Sequence, residues 1–351
     1  MKKWFVLLIL FSQLASGASR YQVATQERAF YNDSRTLSSV IYYPTESQQT
    51  PKTVGARPVF DGIESQPDAT PANGAFPLII FSHGSGGNSY SQAWLAKALV
   101  ERGVIVVAAN HPGSTSGNSI PAESVKLWLQ TQDISALINA VVQDPQWQQR
   151  INHDAIGVLG HSKGGYSAIA SVGGRVSLQD FVAGCRINPH SPSCQFYTQA
   201  NVNLATLSAK AFDANFTDKR LSFAIALDPG MVPYLQPNSL RQLNAPLLIV
   251  APEHFRADTA EANLAGASLA AFSGKWPIDA LTLAGANHFD FLPTCPPTAL
   301  QWLAEEGETF ICASERSQRE QAHRQTIAAV LAFIQPWLTN HNKIGTVHAP
   351  L

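Results

Sequence analysis

The chain of 351 residues has little charge and almost no excess of either sign. Charged residues make up 14% of it, with 24 lysines and arginines against 25 aspartates and glutamates. No basic run occurs, so nothing in the charge pattern indicates nucleic-acid binding. Internal repeats and long low-complexity tracts are also lacking. Hydrophobic residues account for 45% of the chain, which is enough to bury a large core in one domain.

Long apolar runs are scarce as well. The run from Trp4 to Phe11 is far shorter than the ~20 residues that a membrane-spanning helix needs. It follows the positively charged Met1-Lys2-Lys3 and precedes the small residues Ser16-Gly17-Ala18. This order is typical of a secretory signal peptide, which we assign to residues 1–18. We therefore expect an exported protein, periplasmic or secreted, in which residues 19–351 form a single domain without a stable membrane span.

Cysteine is rare, and its spacing argues against a metal site. There are four cysteines, without a C-x-x-C motif and without a paired histidine spacing. An even number of cysteines in an exported chain favours disulfides. Of the three possible connectivities, the simplest joins neighbours, Cys185 to Cys194 and Cys295 to Cys312. We expect no metal and no cofactor.

Short apolar runs of strand type alternate with helical patterns. The predicted buried strands cover residues 77–82, 104–109, 154–159, 221–227, 246–250 and 278–283. The predicted helices cover residues 90–102, 122–143 and 316–335, the last ending before Pro336. This alternation predicts an α/β fold with a mostly parallel central sheet covered by helices on both faces.

Three further segments depart from this alternation. Residues 21–44 alternate between apolar and polar, which predicts antiparallel strands at the N-terminal edge of the sheet. Residues 45–75 are rich in Pro, Gly and Thr and predict a long surface loop. Residues 173–220 have no strong period and contain the first cysteine pair. We interpret them as an insertion.

The stretch Gly160-His161-Ser162-Lys163-Gly164-Gly165 lies between a predicted strand and a predicted helix. Strand, G-x-S-x-G and helix together are the context of a nucleophile elbow, a tight turn that exposes a serine. The glycines relieve the crowding of such a turn. An ordinary glycine-rich turn is the alternative. We predict Ser162 as a catalytic nucleophile.

A serine nucleophile needs a base, and the base needs an acid that orients it. In this fold class the chain order is serine, acid, histidine, each placed just after a strand. His288 follows the last predicted strand and is the candidate base. Asp228 follows one strand, and Glu253 and Asp258 follow the next. The residues alone leave the acid open among these three.

Two backbone N–H groups are needed to stabilise the developing oxyanion. Lys163, directly after the nucleophile, is predicted to supply one. The glycine-rich stretch of residues 82–87 follows an earlier strand, and Ser85 is predicted to supply the other. A phosphate-binding loop is not favoured, because no G-K-[ST] follows. His83 is predicted to shape this loop by hydrogen bonding.

These segments resemble the α/β-hydrolase superfamily, and within it the dienelactone-hydrolase-like proteins and platelet-activating-factor acetylhydrolases. The matching stretches are Phe81-Ser82-His83-Gly84, Gly160 to Gly165, Ala226-Leu227-Asp228 and His288-Phe289-Asp290-Phe291. In the acetylhydrolases the acid lies in the Leu-Asp stretch, so the resemblance favours Asp228. It implies a serine esterase that cleaves small or short-chain carboxylic esters through an acyl-enzyme, with a small-molecule or lipid ester as substrate. The predicted signal peptide adds that this esterase is exported.

Two departures from the family accompany this resemblance. Residues 173–220 are an insertion over the active-site face, which would form a lid or a pocket wall. Lys163 replaces an apolar residue, and its side chain would be either solvated or directed at an anionic acyl group. Two other functions remain open: a lipase, phospholipase or polyester hydrolase on the same fold, and an inactive hydrolase-like binding protein.

Overall fold

The computed structural model describes residues 20–191, 193–253, 266–274 and 276–338. The predicted signal peptide and Asp258 lie outside these residues. The strands are β1 (Gln22–Asn32), β2 (Arg35–Thr45), β3 (Lys52–Val54), β4 (Ile63–Pro67), β5 (Phe76–Ser82), β6 (Ile105–Ala109), β7 (Ser114–Thr115), β8 (Asn118–Ser119), β9 (Ile151–His161), β10 (Leu221–Leu227), β11 (Leu247–Pro252) and β12 (Ile278–Leu283). The helices are α1 (Ala93–Val100), α2 (Pro121–Ser124), α3 (Leu127–Gln143), α4 (Lys163–Ser171), α5 (Leu178–Ile187), α6 (Gln195–Gln199), α7 (Ala209–Phe212), α8 (Pro237–Leu240), α9 (Ala299–Glu306) and α10 (Arg316–Leu338).

Ten strands form one sheet in the order β12-β11-β10-β9-β5-β6-β2-β1-β4-β3. From β12 to β6 all neighbours run parallel, whereas β2 pairs antiparallel with both β6 and β1. The prediction of a mostly parallel sheet with an antiparallel N-terminal edge is therefore confirmed. Because the parallel strands point the same way, the residues after β5, β9, β10 and β12 meet at one edge of the sheet.

The parallel strands are apolar throughout because both of their faces are covered. Along β5, Leu78 and Ile80 belong to a core cluster with residues of α3 and α4, whereas Ile79 and Phe81 belong to a cluster with residues of α1 and α10. Each such fully buried aliphatic side chain contributes about 1.5–3 kcal/mol. None of the helices in the described ranges is both long and apolar enough to cross a membrane.

The structure differs from the sequence predictions in two segments. Residues 45–75 are not only a loop, because β3 and β4 extend the edge of the sheet there. Helix α10 continues through Pro336 to Leu338 instead of ending before it. A proline near the end of a helix removes a single N–H donor, and the packing of Val330 and Ile334 in the core supports the turn before it.

Candidate active site

Ser162 lies between the last residue of β9 and the first residue of α4. Its backbone angles are φ 55° and ψ −120°, a left-handed conformation that L-residues rarely adopt. Such a conformation costs about 1–3 kcal/mol and persists only where the surroundings impose it. Here the N–H of Ser162 donates to the carbonyl of Leu227 (3.0 Å), and its own carbonyl accepts from the N–H of Gly230 (2.8 Å). The turn is thereby fixed to the end of β10.

The two glycines of the G-x-S-x-G motif allow this turn to close. A Cβ atom at Gly160 would lie 2.0 Å from the carbonyl oxygen of Gly164, and one at Gly164 would lie 2.0 Å from that of Ser82. Both clashes are with backbone atoms, which cannot rotate away. The motif thus brings β9, α4 and the end of β5 closer together than any side chain permits.

Asp228 and His288 contact each other directly. Asp228 follows β10, is fully buried, and its N–H donates to the carbonyl of Val250 (2.8 Å). Its Oδ2 accepts a hydrogen bond of 2.6 Å from Nδ1 of His288, which lies in a 3₁₀ turn after β12. The bond orients the ring so that Nε2 is the basic nitrogen. Burial lowers the pKa of His288 and so keeps the imidazole neutral, and burial raises the pKa of Asp228.

Glu253, the candidate acid after the next strand, contacts a different group. Glu253 is exposed, and its Oε2 accepts from the N–H of Gly285 (3.0 Å), three residues before His288. It therefore anchors the backbone that leads to the histidine. Asp258 lies outside the described residues. Of the three acids, Asp228 is the one with a described hydrogen bond to His288.

His161 is part of the site, although sequence reasoning gave it no role. Its ring lies 4.5 Å from that of His288 (centroid to centroid), and its Nε2 donates to the carbonyl of His288 at 3.1 Å. Burial lowers the pKa of His161 to about 3, so the ring is neutral and packs without repelling a charged partner. It stabilises the position of His288. The sequence signal that could have identified it is its position next to Ser162 in the G-x-S-x-G motif.

The loop of residues 82–87 lies directly against the nucleophile. A Cβ atom on Gly84 would lie 2.9 Å from Cβ of Ser162, so only glycine fits there. Nδ1 of His83 donates to the carbonyl of Gly84 (2.7 Å), and its Nε2 accepts from the N–H of His111 (3.1 Å). The prediction that His83 shapes this loop is confirmed. Ser85 is exposed at the tip.

A second serine–histidine–aspartate chain lies beneath this loop, and the sequence analysis missed it. Nε2 of His111 lies 3.1 Å from Oγ of Ser82, and its Nδ1 lies 3.0 Å from Oδ2 of Asp133. Burial disfavours the charge on Asp133, but hydrogen bonds from Arg35 and His111 lower its pKa to about 2. All three members are fully buried, so the chain supports the end of β5. The sequence could not reveal this chain of hydrogen bonds, because its members are up to 51 positions apart and form no local motif.

The side chain of Lys163 is buried, so both sequence interpretations of it are wrong. Its Nζ donates to Oγ of Ser114 and to the carbonyl (3.1 Å) and Oγ (2.9 Å) of Ser124. Burial, with a smaller contribution from Arg35, lowers its pKa to about 7. The side chain is 6% exposed and so cannot bind an anionic substrate from solvent.

Residues 173–220 form three short helices that pack into the core. Phe181, Tyr197 and Phe212 are buried in the same cluster as residues of α3 and α4. The cysteines pair as predicted within this segment and beyond it. Cys185 and Cys194 have a Cα–Cα distance of 5.4 Å, and Cys295 and Cys312 one of 6.1 Å. The first pair staples the segment, because it joins α5 to the residue before α6.

A metal site is not indicated by the side chains. Within the described ranges, no group of three or more His, Cys, Asp or Glu residues is arranged to hold a metal ion.

The model of the prolyl oligopeptidase family matches residues 88–199, less than half of the chain. The match includes Ser162 but neither Asp228 nor His288. A search of curated proteins gave no significant match.

Among solved structures, a ferulic acid esterase from Streptomyces cinnamoneus is 18% identical, with a TM-score of 0.58 and coverage of 92% of both chains. An esterase of Rhizomucor miehei is 15% identical (TM-score 0.48, covering 94% of this chain and 88% of that one). A dienelactone hydrolase-like promiscuous phosphotriesterase from metagenomic libraries is 10% identical (TM-score 0.46, 88% and 97%). The strand order and the likeness to the first of these structures show that this chain has the α/β-hydrolase fold.

Proposed function

We propose that this protein is a serine esterase of the dienelactone-hydrolase-like group, with Ser162, His288 and Asp228 as its triad. The observation that supports this most is the 2.6 Å hydrogen bond between His288 and Asp228, combined with the left-handed backbone of Ser162 at the same edge of the sheet. The three residues occur in the order serine, acid, histidine, and each follows a strand. That arrangement suits acyl transfer.

In the proposed reaction, Oγ of Ser162 attacks the ester carbonyl while Nε2 of His288 takes its proton. Negative charge develops on the carbonyl oxygen, which accepts hydrogen bonds from the N–H groups of Ser85 and Lys163. The carbon–oxygen bond to the alcohol then breaks, and His288 returns the proton to that alcohol. Water then attacks the acyl-enzyme in the same way, with His288 as the base, and the carboxylic acid is released. Asp228 orients the imidazole throughout.

The test is activity and covalent labelling of Ser162→Ala. With p-nitrophenyl acetate, kcat should fall by about 10⁴-fold or more, and a fluorophosphonate probe should no longer label the protein. Ser116→Ala is the matched control, because Ser116 is exposed on the neighbouring hairpin. It should keep full activity and labelling. Equal labelling of Ser162→Ala and the unmodified protein would refute the assignment, and an unlabelled native protein would favour the inactive binding protein.

The substrate class is proposed as small or short-chain carboxylic esters. The ferulic acid esterase among the structural neighbours makes methyl ferulate the first aromatic ester to compare with acetyl, butyryl and octanoyl esters. Declining kcat/KM with acyl length supports an esterase. A rise with length, and with substrate above its solubility limit, would instead indicate a lipase or polyester hydrolase.

A peptidase is a second candidate, because the prolyl oligopeptidase family model matches the segment around the nucleophile. An ester and an amide with the same acyl group, and a prolyl peptide, separate the two. We expect hydrolysis of the ester alone. Cleavage of the prolyl peptide at a comparable kcat/KM would favour the peptidase.

We also propose that the enzyme acts outside the cytoplasm. The basic start, short apolar run and small residues of positions 1–18 support this, as do the two cysteine pairs at disulfide distance. N-terminal sequencing of the exported protein should begin at or near Ser19. Recovery of the intact N-terminus in the cytoplasmic fraction would contradict it.

A further inference from the structure

The side chain of Lys163 lies in a buried polar cluster with Ser114, Ser124 and Tyr197. The backbone N–H groups of Ser85 and Lys163 are the proposed oxyanion donors, so the following rests on the proposed function. Nζ of Lys163 donates to the carbonyl and Oγ of Ser124. The hydroxyl of Tyr197 donates to the same carbonyl (3.4 Å). Ser124 thus links Tyr197 to Lys163.

A second connection runs through Ser114. Its Oγ accepts from Nζ of Lys163 and lies 3.1 Å from Oγ of Ser124. Its carbonyl accepts from the N–H of Gly86, the residue after Ser85, at 2.9 Å. The hairpin of β7 and β8 therefore ties the tip of the oxyanion loop to the side chain that starts α4.

The composition of the cluster argues for a role in positioning. In the described structure, the hydrogen bonds of the Lys163 ammonium go to serine oxygens and none goes to a carboxylate. Burying a lysine against neutral partners costs stability, because the charge loses its hydration. An apolar side chain would fill the space without that cost but could not join two loops. Tyr197 is likewise 5% exposed, and its hydroxyl donates to the carbonyl of Ser124.

Tyr197 comes from the stapled segment and is itself held in place. It lies on α6, which begins directly after Cys194, and its ring packs edge-on against Phe181 of α5 (6.3 Å between centroids). Cys194 is joined to Cys185 of the same α5. Through this one rigid aromatic side chain, the stapled segment reaches the carbonyl of Ser124, to which Lys163 also donates.

We propose that Tyr197 and Lys163 are positioning residues that fix the distance between the backbone N–H groups of Ser85 and Lys163. Neither side chain touches the substrate. The oxyanion site is then completed by the stapled segment, which serves as a fixed part of the site and does not open as a lid. Because oxyanion donors act only on the developing charge, their misplacement lowers kcat and leaves KM nearly unchanged.

The test compares Tyr197→Phe and Lys163→Met on a neutral ester. Losing one oxyanion donor costs about 10²–10³-fold in kcat, and we expect displacement of a retained donor to cost roughly 10-fold, with KM changed less than about twofold. The Ki of a trifluoromethyl ketone, which forms a tetrahedral adduct at the serine, should rise by the same factor. If the two residues have a purely structural role, the variants should have a lower melting temperature without a fall in kcat that matches the rise in Ki.

Two control variants and one double-mutant cycle accompany this comparison. Tyr234→Phe removes a hydroxyl that contacts Cys194, and Lys126→Met removes a lysine from the adjacent surface. Both should retain kcat. Ser114→Ala keeps the carbonyl that accepts from Gly86 but removes a hydroxyl partner of Lys163. It should lose as much kcat as Lys163→Met, and the double variant should lose little more.

The result that would overturn the proposal is that Tyr197→Phe and Lys163→Met both fold and both keep kcat and ketone affinity unchanged. A rise in KM alone would also overturn it, since it would indicate substrate contact. These outcomes are separable from failure of the proposed function, in which Ser162→Ala itself would remain active.

Discussion

The Nδ1 atom of His288 lies 2.6 Å from Oδ2 of Asp228, across 60 residues of sequence. Both side chains are buried, so this hydrogen bond is shielded from water and fixes the imidazole tautomer. Glu253 is on the neighbouring strand end but contacts the backbone of Gly285 instead. One acid therefore faces the ring and the other supports the loop before it.

Asp228→Asn should consequently abolish most activity, because an amide stabilises the wrong tautomer. We expect kcat to fall by about 10⁴-fold. Glu253→Gln is the matched change at the other strand end and should keep kcat within a few-fold. Steady-state kinetics on p-nitrophenyl acetate measure both. The reverse ranking would transfer the role of the acid to Glu253.

The buried Lys163 should make stability depend on pH. Burial lowers its pKa from 10.5 to about 7, so between these values the unfolded chain binds a proton that the folded chain does not. The free energy of unfolding of the native protein should therefore rise with pH in this window, relative to Lys163→Met, by about 2 kcal/mol between pH 7 and pH 9. Urea titrations at both pH values measure the difference. Parallel pH curves for the two proteins would contradict the lowered pKa.

The loop that holds His288 depends on a buried ion pair. Nε of Arg319 on α10 lies 3.5 Å from Oδ1 of Asp290, and both side chains are buried. Asp290→Asn leaves a buried guanidinium without its counter-charge, which typically costs about 3–5 kcal/mol.

Glu320→Gln is the matched control for this change, because its pair with Arg316 is exposed and such pairs contribute about 0–1 kcal/mol. Denaturant midpoints with unchanged slopes would report both changes. Equal shifts for the two variants would show that the Asp290 pair has no special weight.

The disulfide between Cys185 and Cys194 should stabilise the stapled segment, residues 173–220, which contains Tyr197. The two cysteines are nine positions apart, and a loop of that size corresponds to about 2.5 kcal/mol of lost chain entropy. The double variant to alanine should lose that much stability under oxidising conditions. In excess reductant, the native protein should also lose the contribution of this bond to its free energy of unfolding. No difference between oxidised and reduced midpoints would mean that the bond does not form.

The sequence by itself determined the features that follow from local chemistry. Apolar runs gave the buried parallel strands, because a strand covered on both faces has no polar side. Glycines around Ser162 indicated the tight turn, because backbone contacts of 2.0 Å exclude every side chain there. The position of His288 after the last strand also followed from the pattern.

Only the tertiary structure decided contacts between residues distant in the chain. It gave Asp228 its contact with His288, whereas the pattern alone offered three acids. It placed Lys163 in a serine cluster, because its hydrogen-bond partners are Ser114 of β7 and Ser124 of α2, which lie 49 and 39 positions away in the chain. Burial and hydrogen-bond partners arise from packing, and no local sequence pattern encodes them.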